Sequence, residues 1–370
     1  MKVICDRTAL EDAVALVGSV VATRTPQPVL HCMKLAAADG RLCLAATDLE
    51  VGLRLSLDDV QIDEPGEALV PADKLAQIVR ASEDPTITIE TDGNTMHIRG
   101  SDSHFKVFGL DPKEAPEVRN FDAEKVDCQI DGASLRTLIT RTIFAAANEH
   151  SRYAINGVLF DREGGKLKLV ATDGRRLAIA RGQCDGDSGQ QQCIVPSKAL
   201  TLLNKLVGSE KGTIIRISLE ESQVIFGIGA EESFATLTSN LVEGSFPPYE
   251  DVIPKEQDKR VTFDKSLLFS AIKRAALLTN EESRGVRLHF EGDTLTLRSR
   301  APEMGEAEVQ LNTIAYEGDP VEIGFNPSFI TDALRVVDTD QVIVELKAPN
   351  KPGVLRTGNE FTYVIMPVNL

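Results

Sequence analysis

Apolar residues recur along this chain at two alternating spacings. Leu10, Ala13, Val14 and Val17 follow the i, i+3, i+4 interval that lines one face of an α-helix, and the stripe returns at Leu135, Leu138, Ile139 and Thr142 and at Leu268, Ile272, Ala275 and Ala276. A second stripe follows each: Leu75, Ile78 and Val79; Leu200, Leu203, Leu206 and Val207; Phe329, Ile330, Ala333 and Leu334. Around the helices, Thr86–Glu90, Arg216–Leu219 and Val342–Leu346 alternate with the period of two of a half-buried strand. Asp39-Gly40, Asp92-Gly93 and Gly292-Asp293 offer the backbone that two-residue hairpin turns require. The pattern predicts an α+β chain in which two helices pack on an antiparallel sheet, three times over.

The elements repeat with their landmarks. Leu10, Gly40, Asp48 and Pro71 are matched 125 residues later by Leu135, Gly165, Asp173 and Pro196: a periodic helix, a glycine turn, the end of an Ala-Thr-Asp and the start of a Val-Pro helix. A third, looser copy opens at Asp264-Lys265-Ser266-Leu267-Leu268, with Arg298-Ser299-Arg300 in place of Ala-Thr-Asp. Solenoid units run at roughly 20–50 residues, so each copy is expected to be a domain with its own core. Pro-rich stretches at 111–116 and 246–254 set the expected domains at 1–125, 126–254 and 255–370.

Charge adds a constraint. Forty Lys and Arg stand against 56 Asp and Glu, a net charge of −16 that on its own argues against nucleic acid. The helices are less acidic than the whole: Arg136, Arg141, Lys198, Lys205, Lys273, Arg274 and Arg335 are expected on exposed helix faces in copies two and three, with Arg24, Lys74 and Arg80 in copy one. They read either as ordinary solvated charge or as a basic lining within an acidic protein. Six cysteines without a C-x-x-C pair read as buried reduced thiols, and five scattered histidines imply no metal site. No cofactor is expected. The N-terminus lacks a signal-peptide core and no stretch approaches a membrane span, so the expectation is a cytoplasmic protein with no membrane partner.

Two enzyme-like signals carry little. Gly186-Asp187-Ser188-Gly189 copies the serine loop of trypsin-like proteases, but it runs into Gln190-Gln191-Gln192 without triad spacing and reads as a flexible loop. Gly227-Ile228-Gly229 stops before a third glycine and reads as strand. The chain is expected to be non-catalytic.

Longer stretches are specific. Residues 152–160 (Arg-Tyr-Ala-Ile-Asn-Gly-Val-Leu-Phe), 170–178 (Val-Ala-Thr-Asp-Gly-Arg-Arg-Leu-Ala), 239–247, 280–288, 322–326 and the terminal Tyr-Val-Ile-Met-Pro-Val-Asn-Leu closely resemble the bacterial sliding clamp family, the β subunits of DNA polymerase III, in order and over the whole chain. The resemblance implies a homodimer of three-domain subunits joined head to tail into a ring, helices lining the hole, around double-stranded DNA. Topology then replaces affinity, which reconciles the acidic charge with a DNA partner. The implied role is a processivity factor that tethers DNA polymerase III through its α subunit, with other polymerases, the clamp loader δ subunit and repair proteins as further partners.

Family positions carry over onto this sequence. The partner-peptide pocket falls on Arg152, Ile155, Thr172, Gly174, Arg175, Arg176, Leu177, Pro247, Val252, Val364, Met366, Pro367, Val368 and Leu370, an adaptable Met and aliphatic walls with a basic rim. Relatives often carry a basic residue where Asp251 and Asn369 stand and His at Arg175, which bears on motif preference. DNA-facing positions are Arg24, Lys74, Glu149, Tyr153 and Lys198; a carboxylate at Glu149 departs from the family, and Ala154 replaces an aromatic residue. The dimer junction falls on Phe105, Val107, Leu277 and Leu278, with Arg99 and Lys106 facing Glu303 and Glu306 and, beside them, Glu308. The remaining alternative is a peptide-binding adaptor that never encircles DNA.

Overall fold

The structure, a computed structural model of the chain, describes all residues except Thr23, 148–153, 209–211, 230–233, 280–284 and Leu370. Six α-helices occur among the described residues: α1 (Arg7–Gly18), α2 (Ala72–Ala81), α3 (Gly132–Ile143), α4 (Ser197–Val207), α5 (Lys265–Ala275) and α6 (Pro327–Val336). The first helix of each repeat starts at an aspartate whose carboxylate accepts an otherwise orphan backbone N–H: Asp6 from Ala9 at 2.8 Å, Asp131 from Ser134 at 2.9 Å and Asp264 from Leu267 at 2.9 Å. The predicted stripes face the cores, with Ile78, Ala276 and Phe329 only half-buried. Arg141 departs from expectation. It is 6% exposed, because its guanidinium turns inward to Asp338 at 2.8 Å and Glu360 at 3.5 Å.

The strands form four antiparallel sheets among the described residues. One has nine strands in the order Asp185–Gly186, Cys128–Asp131, Ile214–Leu219, Gln223–Ile228, Ala235–Asn240, Val51–Leu57, Arg41–Thr47, Cys32–Ala38 and Gly66–Pro71. It crosses from the second repeat into the first where Leu237 lies opposite Leu53. The second nine-stranded sheet runs Gln190–Pro196, Gly157–Glu163, Lys166–Thr172, Arg176–Gln183, Phe361–Ile365, Gly353–Thr357, Gln341–Leu346, Lys259–Asp264 and Ala315–Glu317, and crosses from the second repeat to the third where Leu177 lies opposite Val364. The other two have five strands, ending in His104–Phe108, and four strands, ending in Gly305–Asn312. Contacts accordingly gather the chain into two compact units, Met1–Leu135 with Cys184–Asp187 and Lys198–Leu241, and Arg136–Gln183 with Ser188–Ser197 and Val242–Leu370.

The Ala-Thr-Asp repeat is a turn device. Thr47 Oγ1 donates to Val51 O and accepts from Leu49 N, while Asp48 Oδ1 accepts from Glu50 N and Val51 N. Thr172 and Asp173 make the same four bonds with Arg176 O, Gly174 N, Arg175 N and Arg176 N. The turn needs a left-handed residue after the aspartate; Gly174 supplies it at φ 85°, and Leu49 adopts it at φ 76° despite its Cβ.

Candidate functional site

In the second unit the turn 172–176 lies beside the end of the C-terminal strand. Met366 N donates to Arg175 O at 2.9 Å, and Val368 N to Gly324 O at 2.9 Å, which fixes the tail after Ile365. Beneath, Leu177, Ile179, Val170, Leu159, Ile194, Val354 and Val364 form one buried cluster with Ala154 and Tyr249. The segment 242–253 closes over it, since Val242 N donates to Ile194 O at 2.9 Å and Val242, Phe246 and Ile253 pack against the cluster. Tyr249 is held by Lys168 Nζ at 3.0 Å, and Lys168 also pairs with Asp161 at 2.8 Å. Burial works against the Lys168 charge, yet the bonds to Asp161 and Tyr249 outweigh it and raise its pKa.

What stays open above this floor is apolar: Val252 and Met366 are 43% and 37% exposed, and Pro247, Pro367 and Val368 are half-buried. The structure thus brings together Ile155, Thr172, Gly174, Leu177, Val364, Met366, Pro367 and Val368 on adjoining strand ends and turns, with Pro247 and Val252 on the closing segment. Arg152 and Leu370 lie outside the described residues. Phe246, Tyr249 and Ile253 are cluster residues that sequence reasoning passed over; the aromatic pair three apart in a Pro-rich segment was their signal.

The two arginines of the turn do different work. Arg175 is exposed and forms a rim. Arg176 points inward, with Nε 3.0 Å from Asp173 Oδ2, Nη1 2.8 Å from Asp332 Oδ2 and Nη2 2.7 Å from Phe144 O. Its guanidinium also lies 4.6 Å from the Phe329 ring centroid and 5.5 Å from that of Phe144. Burial pushes the nearby Tyr363 phenol above its ordinary pKa; its hydroxyl donates to Phe329 O at 3.0 Å. Arg176 therefore fastens the turn to α6 and to the residue that follows α3, which leaves a rim less basic than the sequence implies.

Comparison with known proteins places this geometry. Sequence models described as the N-terminal, central and C-terminal domains of the DNA polymerase III beta subunit match residues 1–120, 129–248 and 250–369. The beta sliding clamp of Vibrio cholerae is 34% identical over 375 residues, covering 100% of both chains, and that of Pseudomonas putida is 36% identical over 370, covering 98% of each. The chain belongs to the DNA polymerase III beta subunit family, the beta sliding clamps. The crystal structure of the Pseudomonas aeruginosa family member superposes with a TM-score of 0.91 at 34% identity, covering 100% of both chains. That of the Bacillus subtilis sliding clamp gives 0.93 at 26%, covering 100% of this chain and 99% of that one. The fold is the three-domain clamp fold of the family, and one P. aeruginosa structure is of the clamp bound to griselimycin.

The remaining family positions are dispersed. Arg24 and Lys74 are exposed, Lys198 pairs with Asp48, and Glu149 and Tyr153 lie outside the described residues. On the outer strand His104–Phe108, Phe105 is 38% exposed while Val107 is buried; Phe108, 73% exposed, was not anticipated. Lys106 covers the Phe108 ring at 5.4 Å, and Arg99 pairs with Glu90 at 3.3 Å. In the third repeat Leu277 is exposed, Leu278 half-buried and Glu303 exposed, while Glu306 and Glu308 pair with Arg300 and Arg298 at 3.1 and 2.8 Å.

Proposed function

We propose that two copies of this chain close head to tail into a ring around double-stranded DNA and act as the non-catalytic processivity subunit of DNA polymerase III. The observation that carries this reading is an unfinished pattern in the sheets. At each repeat boundary inside the chain, a run of five strands ends against a run of four: Ala235–Asn240 on Val51–Leu57, and Phe361–Ile365 on Arg176–Gln183. The two shorter sheets are one more run of five, ending in His104–Phe108, and one more run of four, ending in Gly305–Asn312. Pairing these ends between copies would complete the same nine-stranded sheet at every boundary and satisfy both exposed edges. Such a head-to-tail contact closes after two chains of three repeats each, giving a ring of six domains and no filament. Charge of opposite sign is available at the two ends: Lys106 on the strand His104–Phe108, with Arg99 on the strand beside it, and Glu306 and Glu308 on Gly305–Asn312, with Glu303 in the turn before it. Arg99, Glu306 and Glu308 would exchange their present partners Glu90, Arg300 and Arg298 on pairing, and Phe105, Phe108 and Leu277 would serve as apolar contacts.

A closed ring holds DNA without neutralising many phosphates, so Arg24, Lys74 and Lys198, with Glu149 and Tyr153, need make only weak, salt-sensitive contacts in a chain of net charge −16. Partners then dock an apolar peptide motif on the surface above Leu177 and Val364, among Met366, Pro247, Val252 and Val368; Arg152 and Leu370, which the family resemblance adds, lie outside the described residues. DNA polymerase III through its α subunit, other polymerases, the clamp loader δ subunit and repair proteins are the partners this surface would serve, in the cytoplasm.

The test is topological. Once loaded, the protein should stay on circular DNA through a high-salt wash and run off when the circle is linearised; equal retention on both forms would leave a peptide-binding adaptor. Leu177→Asp or Met366→Asp should abolish polymerase binding while the dimer survives, and unchanged binding would remove that surface from the function.

A further inference from the structure

One face of the first unit's nine-stranded sheet carries a row of small side chains. Ala36, Cys43 and Ser56 lie opposite one another on three adjacent strands, and Thr236 lies opposite Arg54 on the next pair. Above this floor stand Phe121 and Phe234, and the residues enclose a cavity of about 390 Å³. The half-buried Arg54 lines it, and its side chain makes no hydrogen bond or ion pair among the described residues. Arg41, which also lines it, pairs with Asp58 at 2.9 Å; Asp39 in the hairpin turn brings one carboxylate to the wall.

The second unit shows what this face looks like when the chain fills it. At the positions 125 residues on from Ala36, Cys43, Arg54 and Ser56 stand Asp161, Lys168, Ile179 and Arg181. There every cation has a partner: Lys168 bonds Asp161 and Tyr249, Arg181 bonds Thr362 at 3.1 Å, and the neighbouring Arg356 bonds Glu345 at 2.8 Å. In the first unit the apolar Ile179 is replaced by a guanidinium, the one carboxylate among these four positions, Asp161, is replaced by Ala36, and the two cations Lys168 and Arg181 by Cys43 and Ser56. In a protein of net charge −16, carboxylates are abundant, yet among the described residues none pairs with the Arg54 guanidinium, although Asp39 reaches the same wall; the site is shaped for a charge from outside.

We infer that this cavity binds a small ligand that joins a planar ring to an oxyanion, a carboxylate or a phosphate monoester, with the anionic group on the Arg54 fork beside Arg41 and the ring against Phe121 and Phe234. A guanidinium matches either anion bidentately, and the volume falls in the range of roughly 300–1,000 Å³ usual for small-molecule sites. The site is independent of ring closure and of the peptide surface.

The experiment titrates the full-length protein with phenyl phosphate and, separately, with benzoate, following binding by calorimetry and by ligand-observed NMR. At least one should bind saturably with a Kd of about a millimolar or tighter. Arg54→Gln should weaken it about tenfold, as loss of a charge-assisted pair does. The tighter probe tells which oxyanion the site prefers. Phe234→Ala, on a side chain 38% exposed, gives a second variant should Arg54→Gln fail to fold, and it too should weaken binding several-fold. Absence of saturable binding by both probes up to about 10 mM, or equal binding by wild type and the folded variants, overturns the inference.

Discussion

Replacing Arg176 by alanine probes how the candidate partner surface is held. The side chain is 12% exposed and its two carboxylate partners, Asp173 and Asp332, are 20% and 25% exposed, at 3.0 and 2.8 Å. Breaking a fully buried pair costs about 3–5 kcal/mol, chiefly through the charge left behind. Here the stranded carboxylates keep other donors: Asp332 retains Arg335 at 2.9 Å, and Asp173 retains the amides of Arg175 and Arg176 at 2.9 and 3.0 Å. The bond to Phe144 O and the contact with the Phe329 ring are lost outright. The balance is about 3 kcal/mol. For a unit of about 190 residues that lowers Tm by roughly 6–12 °C. Calorimetry of the full-length protein measures the shift, and hydrogen exchange should localise it to α3, α6 and the turn 172–176. Arg176→Lys should recover less than half, because an ammonium cannot bridge two carboxylates and a carbonyl as the fork does. A variant that unfolds like wild type yet no longer binds partner peptide would refute the reasoning and make Arg176 a ligand contact.

Further outcomes follow from other features. An added Cβ at Gly227 would stand 2.6 Å from Phe121 Cγ, so Gly227→Ala should expel the ring, cost about 1–3 kcal/mol by urea unfolding and open the 112–127 segment to protease. Burial, with Asp6 beside it, pushes the Cys5 thiol up to about 12. Because that pKa is raised in the folded state, its contribution to stability is complete below about pH 9 and is lost as pH rises from there towards 12; urea midpoints across that window check the sign. All six cysteines are buried, so a thiol reagent at pH 8 should label them only on unfolding. Phe108→Asp and Leu277→Asp, at opposite edges and both well exposed, should each give monomers by sedimentation with unchanged circular dichroism; a persisting dimer would remove these edges from ring closure.

Much of the fold was legible along the chain because its causes are local. Asp6, Asp131 and Asp264 cap helices through bonds three residues away. Thr47-Asp48 and Thr172-Asp173 build the same turn within five residues. The partner surface was legible only through resemblance, and unevenly: Leu177, Val364 and Met366 come together, whereas Arg176 in a basic motif gave no hint that Asp332, 156 residues away, would claim it.

The sequence by itself determined the six helices, the hairpins, the threefold repeat and the acidic character, since periodicity, capping and turn chemistry act over a few residues at a time. Tertiary structure alone decided that Val51–Leu57 would pair with Ala235–Asn240 and Arg176–Gln183 with Phe361–Ile365, that Arg141 would be buried, and that the Arg54 side chain would find no partner among the described residues. The physical reason is that strand edges and charged groups are satisfied by whatever the folded chain brings within hydrogen-bond reach, and an alternating strand pattern names its buried face but not its neighbour.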